Sequence, residues 1–201
     1  INAGGSTIVA TDQGPDWLAN DQTNSFASNS YSVNTGISGT FNLPYSQKHT
    51  SIPSYIDETT YGAIFGKERW DANPEPEMEF NIPIANGNHI VNLYLGNGWS
   101  GTAQEGKRIY SIEIEGLVVK SDLDLIAEFG GNLVGGMLSF PTTVFDENIS
   151  IKFLHQVQNP LINAIEILSS TAPQDIVLND IEDTTNNVSD NVDFAVAVSG
   201  G

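Results

Sequence analysis

The chain has 201 residues, with 25 Asp plus Glu against seven Lys plus Arg and a formal charge of −18. That length suits one medium domain with a buried core and something small beside it. The acidic balance excludes nucleic acid and anionic membranes as partners, no apolar run reaches the roughly 20 residues of a membrane-inserted helix, and the absence of cysteine removes disulfides, thiolate zinc sites and thiol nucleophiles.

The chain opens at Ile1 without Met or a signal peptide and reads as a mature or excised piece of something longer. Trp17 follows the Gly14-Pro15 turn and reads as a core plug under an N-terminal strand. Residues 20–60, rich in Ser, Asn and Thr with few apolar anchors, read as long loops crossing one end of a sandwich, where binding sites sit. Lys67 and Arg69, two of the scarce cations, stand beside Trp70 in a loop leading to the first clear strand. They read as rim donors or as ion-pair partners of Asp57, Glu58 or Glu68.

The run 78–84 alternates, with Met78, Phe80, Ile82 and Ile84 on one face, and Asn86-Gly87 signals a hairpin into 89–95. His89 in that run reads as an ordinary exposed or half-buried residue. Trp99 lies in the Gly-rich loop "LGNGWSGTAQEG" beside Asn97. A Trp there has little core to fill, so it is expected to be exposed and able to stack on a sugar ring. The run 108–116 turns Tyr110, Ile112 and Ile114 inward, Gly116 begins a hairpin into 117–119, and 122–130 has room for one short turn of helix. "GGMLSF", "ISIKFLHQV" and "LINAIEIL" close the series, with Asn159 before Pro160 as a turn anchor or amide donor. Many short strands at this spacing predict an all-β sandwich or barrel.

Composition changes near Ser169. Residues 170–174 read as a linker, and residues 175–201 carry two β-runs, 175–181 and 192–198, too few for a domain. This segment reads as an incomplete Ig-like unit or a strand-exchange tail able to pair with a neighbouring subunit or the next domain.

Catalytic signatures are missing. The three histidines, His49, His89 and His155, have no zinc spacing, and neither a GxSxG elbow nor a P-loop occurs. No carboxylate pair stands out by its spacing for glycoside hydrolysis. No cofactor is required, but a structural Ca2+ is expected, with Asp12, Asp16 and Asp21 as hard oxygen ligands.

Four stretches in order resemble the malectin family over about residues 1–169. "INAGG" is similar to the family's opening. "FGKERWDANPEPEMEFNIPI" resembles its YQTERY segment running into an F-x-IP strand. "KSDLDLIAEFGG" after "IEIEGLVV" resembles its DxDIF segment behind a V-x-G-x-x-V hairpin, and "VQNPLINAIEI" resembles its closing NPxxxAxxI strand. The last 27 residues resemble the first strands of bacterial Ig-like or cadherin-like repeats. The resemblance implies a jelly-roll β-sandwich, galactose-binding-domain-like in architecture, with a two-stranded C-terminal extension and no catalysis.

Carried over residue by residue, the aromatic of the family's ERY segment falls on Trp70. Its Tyr-Phe pair falls near Gly98 and Trp99, its earlier loop Tyr on Tyr31, and its Asp before NP on Gln158. Gln158 keeps an acceptor, adds a donor and removes a charge. With Asn97 and Asn159 as further amides, these residues are expected to bind a neutral glycan. The expectation is a non-catalytic carbohydrate-binding module of a secreted or cell-surface bacterial multidomain protein. The alternative is a structural or adhesive subunit whose C-terminal strands pair with a neighbouring chain.

Overall fold

The computed structural model describes residues 1–11, 14–20, 35–39, 41–72 and 74–169. The expected linker and two-stranded extension, residues 170–201, lie outside the described residues.

Chain entry and exit meet in one sheet. β1 (Asn2–Ala3) pairs in parallel with β2 (Ala19–Asn20) and antiparallel with the last strand, β12 (Ala164–Ser169). β12 then pairs with β6 (Gly87–Gly96), and β6 with β9 (Gly135–Val144), so this sheet runs β2-β1-β12-β6-β9. The second sheet runs β5-β10-β7-β8, built from β5 (Met78–Pro83), β10 (Asn148–Val157), β7 (Ile109–Ile114) and β8 (Leu117–Leu123). A third, small sheet joins β3 (Thr35–Gly39), β4 (Lys67–Asp71) and β11 (Leu161–Ile162) in the order β11-β4-β3.

The alternation in the sequence explains why the two large sheets face each other. Met78, Phe80 and Ile82 of β5 are buried on every second residue, as are Ile149, Ile151 and Phe153 of β10 and Tyr110, Ile112 and Ile114 of β7. They meet Val91, Leu93 and Leu95 of β6 and Ile165 of β12 in one core. Each such side chain contributes about 1.5–3 kcal/mol on burial, so the inner faces hold the sandwich together. On the outer face Lys152 lies across from Glu79 on one neighbour and Glu113 on the other, 3.7 Å from each carboxylate. Such exposed pairs add little energy. A slip of one residue, however, would turn them inward, so they mark the register.

The hairpin read at Gly116 is present, with Ile114 opposite Leu117. The hairpin read at Asn86-Gly87 is not. β5 and β6 belong to different sheets, and the chain crosses the sandwich between them. Gly87 has φ +138, and the Asn86 side chain accepts from the Glu147 N–H at 2.7 Å. That bond ties this crossing to the one between β9 and β10. Gly87 has the positive φ that favours glycine, but both flanking strands bury their apolar faces in the same core from opposite sides, which a hairpin cannot do.

Residues 20–60 also differ from expectation. The described part contributes Leu43, Ile52 and Ile56 to a second buried cluster, which Tyr61, Ile64 and Phe65 complete against Tyr94 of β6. It also leads into a two-turn helix, α1 (Glu58–Phe65). The Asp57 side chain caps α1 by accepting from the Thr60 N–H at 2.7 Å, and Tyr61, Ile64 and Phe65 fall on one face at helical spacing. Two threonines and Gly62 hide this helix from propensity; its packing decides. Trp17 packs edge-on against Tyr94, ring centroids 5.3 Å apart, at the rim of the same cluster. The short helix expected in 122–130 forms as α2 (Leu125–Phe129), capped by Asp124 and ended by Gly130 in the left-handed region. His89 is buried, with Nε2 2.8 Å from the Ala85 carbonyl, because the chain's crossing brings that carbonyl over it.

Candidate functional site

The site forms where the small sheet meets the β6–β7 and β10–β11 connections. Trp70 is on a strand, not in a loop. In the β3–β4 pairing it faces Gly36, and Glu68 faces Ser38. The period of two puts Glu68 and Trp70 on one face of β4 and sends Arg69 the other way. Gly36 is there for space, since a Cβ would stand 2.5 Å from Trp70 Cζ2. The indole lies across that glycine, and its Nε1–H donates to Ser38 Oγ at 2.7 Å.

Two more rings rest on glycines in the same way. Trp99 covers Gly101 and Phe41 covers Gly98, each so closely that a Cβ would fall 2.3 Å from a ring carbon. Trp99 remains 45% exposed, as its loop position led one to expect. Phe41, Trp70 and Trp99 thus wall a cavity of about 270 Å³ whose polar lining is Ser38, Glu68, Arg108, Gln158 and Asn159.

Of the residues expected at the site, Trp70, Trp99, Gln158 and Asn159 are brought together. Gln158 is exposed at the rim with φ +60, and its Oε1 accepts from the Asn159 N–H at 3.0 Å. Asn97 lies beneath the wall, buried. Its Nδ2 donates to the Trp99 carbonyl at 3.0 Å and to Asn132 Oδ1 at 2.6 Å. Its Oδ1 accepts from Thr102 Oγ1 at 2.6 Å and Arg108 Nη1 at 2.7 Å. Asn97 therefore organises the Trp99 loop and holds the guanidinium of Arg108. Tyr31, Asp12 and Asp21 lie outside the described residues. Asp16 Oδ1 accepts from the Ala10 N–H at 2.9 Å.

The scarce cations of "GKERW" divide between roles. Lys67 is exposed, with its stem over Gly39. Arg69 is buried, and its Nε donates to Asn20 Oδ1 at 2.7 Å and its Nη1 to Thr35 Oγ1 at 3.2 Å. It fastens β4 to β2 and β3, away from the cavity. The cation that reaches the site is Arg108, just before β7. Burial pushes the Glu68 carboxyl up to about 7, with the charge of Arg108 pulling it back. Burial likewise lowers Arg108, and Glu68 opposes that shift.

Sequence reading missed Ser38, Phe41, Glu68 and Arg108 as lining residues. The signal that could have found Ser38 and Glu68 is the glycine set opposite an aromatic, "TGIS" across from "ERWD"; Phe41 and Arg108 leave no such local signal. A further cluster, invisible in sequence spacing, brings His155, Glu77 and Asp71 within 4.8 Å of one another. His155 Nδ1 meets the Glu77 carboxylate, its Nε2 lies 3.1 Å from the Asp71 carbonyl, and its N–H donates to Glu77 Oε1 at 3.1 Å. These contacts clasp β10 to β4 and to the approach to β5.

A two-sheet sandwich with an aromatic-walled cavity at its connecting loops defines a β-sandwich binding module. Residues 1–165 match the model of the malectin domain, and the chain belongs to the malectin family, a family of non-catalytic binding modules. The fold is similar to that of plant receptor ectodomains. A chain of the plant peptide RALF23 in complex with FER and LLG2 gives a TM-score of 0.69 at 15% identity, over 85% of this chain and 48% of that one. The ANXUR1 extracellular domain from Arabidopsis thaliana gives 0.66 at 14% identity, over 83% and 46%. A beta-glucuronidase from Bacteroides uniformis gives 0.58 at 17% identity, over 85% of this chain and 18% of that one. The chain thus spans about half the length of the receptor chains, and at these identities the likeness is one of fold. No curated protein matches it.

Proposed function

We propose that this chain is a carbohydrate-binding module that holds a neutral glycan in the cavity walled by Phe41, Trp70 and Trp99. The observation that carries this reading is the convergence of Trp70 and Trp99, from separate elements, on one cavity with Gln158 and Asn159 at its edge. Sugars present CH faces and hydroxyl edges, and such a site offers ring faces for the first and neutral amides for the second. The charge of −18 disfavours sulfated and uronic glycans, whatever the local geometry. We further propose that the module works outside the cell as one part of a larger protein, in keeping with the extracellular placing of its structural relatives.

The test is a glycan array on the full chain, followed by calorimetry of Trp99→Ala and Trp70→Ala against the strongest neutral glycan. Loss of stacking is expected to weaken binding by about tenfold to a hundredfold, by analogy with base stacking. Unchanged affinity in both folded variants would move the site elsewhere.

A further inference from the structure

The aromatic cavity has a charged floor that aromatic stacking does not explain. Glu68 is 3% exposed and Arg108 is 5% exposed, yet both line the cavity. Glu68 Oε2 and Arg108 Nε have no hydrogen-bond partner among the described residues. A buried ionisable atom left without a partner costs more than any exposed one. Here two such atoms of opposite sign belong to side chains that line the same cavity, and no ion pair within 4.0 Å joins them among the described residues. Asn97 fixes the other end of the guanidinium through Nη1, so Arg108 is not free to swing toward Glu68.

We infer that Glu68 and Arg108 form a polar floor that selects a glycan by two adjacent ring hydroxyls, Glu68 Oε2 accepting from one and Arg108 Nε donating to the other. The inference rests on the glycan-binding reading and specifies its ligand. One acceptor and one donor side by side match a vicinal diol, because each hydroxyl both gives and takes a hydrogen bond. A floor carrying one charge of each sign favours neither a carboxylate nor an ammonium on the sugar. A neutral diol thus satisfies both orphaned atoms without burying a further charge.

Recognition should depend on pH, since Glu68 accepts fully only when ionised. Among the described residues the groups around it are few. Ser38 faces it from β3, Gln158 and Asn159 line the same cavity from the β10–β11 connection, and none of these titrates. On its own strand Lys67 points to solvent and Arg69 to Asn20 and Thr35. From the β7 side come Arg108 and Tyr110. The Tyr110 hydroxyl donates to the Leu161 carbonyl at 3.1 Å and is held neutral by burial. Among the described residues, Glu68, pushed up to about 7, is therefore the group at this site that changes charge near neutrality.

The experiment measures binding of the full 201-residue chain to a printed array of neutral, amino and uronic oligosaccharides at pH 5.5 and 8.5. Neutral glycans and their singly deoxygenated analogues are included. Wild type, Glu68→Gln, Arg108→Lys and Trp99→Ala are compared, each checked for folding by its thermal melt. Neutral glycans are expected to bind wild type about tenfold or more tightly at pH 8.5 than at 5.5. Glu68→Gln is expected to bind more weakly at pH 8.5 and to lose the pH dependence. One deoxy analogue should lose affinity for wild type but not for Glu68→Gln. Arg108→Lys, which keeps the charge but not Nε, should show the same relation to the neighbouring hydroxyl. If Trp99→Ala abolishes binding while Glu68→Gln matches wild type at both pH values, the site stands and the floor is refuted. If Trp99→Ala binds as wild type, or no neutral glycan binds, the site reading falls and takes the floor with it.

Discussion

Glu68 also carries a consequence for stability, separate from any ligand. Its ordinary carboxyl value of 4.5 is raised to about 7 in the fold, chiefly by burial. The folded state therefore holds a proton that the unfolded chain releases between those two values. Stability from this group is complete below about 4.5 and falls as pH rises through 7, by about 3 kcal/mol as an order of magnitude. Asp57 works in the opposite sense, since the Thr60 N–H lowers its carboxyl. Glu68→Gln is expected to melt with wild type at pH 5 and above it at pH 8. Scanning calorimetry at the two pH values checks this, and a wild-type melt at or above that of the variant at pH 8 would count against the buried charge.

Among elements, the β3–β4 ribbon does most to shape the site, and it depends on one glycine. Gly36→Val puts a branched side chain where Trp70 lies, with the first added carbon 2.5 Å from the indole. Overpacking of this kind costs about 1–3 kcal/mol. The expected result is a lower melt, a shifted tryptophan emission and weakened glycan binding, with the core strands unaffected in their circular dichroism. This ribbon also marks where sequence reading stopped. β5, β7, β8 and β10 were legible because a period of two in large apolar residues has one economical outcome, a half-buried strand. β4 was not, because "KERWD" alternates between a solvated Lys, a buried Arg and a buried Asp, whose inward face is polar. Once β4 was read as a loop, Glu68 and Trp70 could not be seen as neighbours on one face. Trp99 and Trp70 were still picked out, by their placing beside glycine and cations and by family resemblance. Arg108 and Phe41 were not, because their relevance comes from distant elements. The failed Asn86-Gly87 hairpin makes the same point, since a turn signal does not say which sheet the next strand joins.

For the molecule as a whole, the question is where the folded unit ends. Among the described residues, the fully buried members of its two clusters lie between Ala3 and Ile165, with Ile1 and Ile167 packed partly buried against them, and the family match ends at residue 165. β12 lies between β1 and β6, with Ala3 N–H donating to the Asn163 carbonyl at 2.9 Å and Ile165 N–H to the Ile1 carbonyl at 3.0 Å. β1 reaches only the start of β12, opposite Ala164, and among the described residues Glu166–Ser169 pair with β6 alone. Beside it runs a groove of about 440 Å³, walled by Val9, Leu18, Ile84, Ile167 and Leu168 among others. Tyr55 donates to Glu166 Oε2 at 2.9 Å across that surface. With both core clusters supplied by described residues up to Ile167, truncation after Ser170 is expected to leave the melting temperature within about 3 °C of the full chain. Neutral-glycan binding should likewise be unchanged, because the described lining of the aromatic cavity comes from residues between Ser38 and Asn159. Calorimetry and the array on the truncated chain measure both. A truncated chain that precipitates or melts far lower would show that the last residues complete the core, with the groove along β12 as their seat. A truncated chain that stays folded but loses glycan binding would move the site toward the tail.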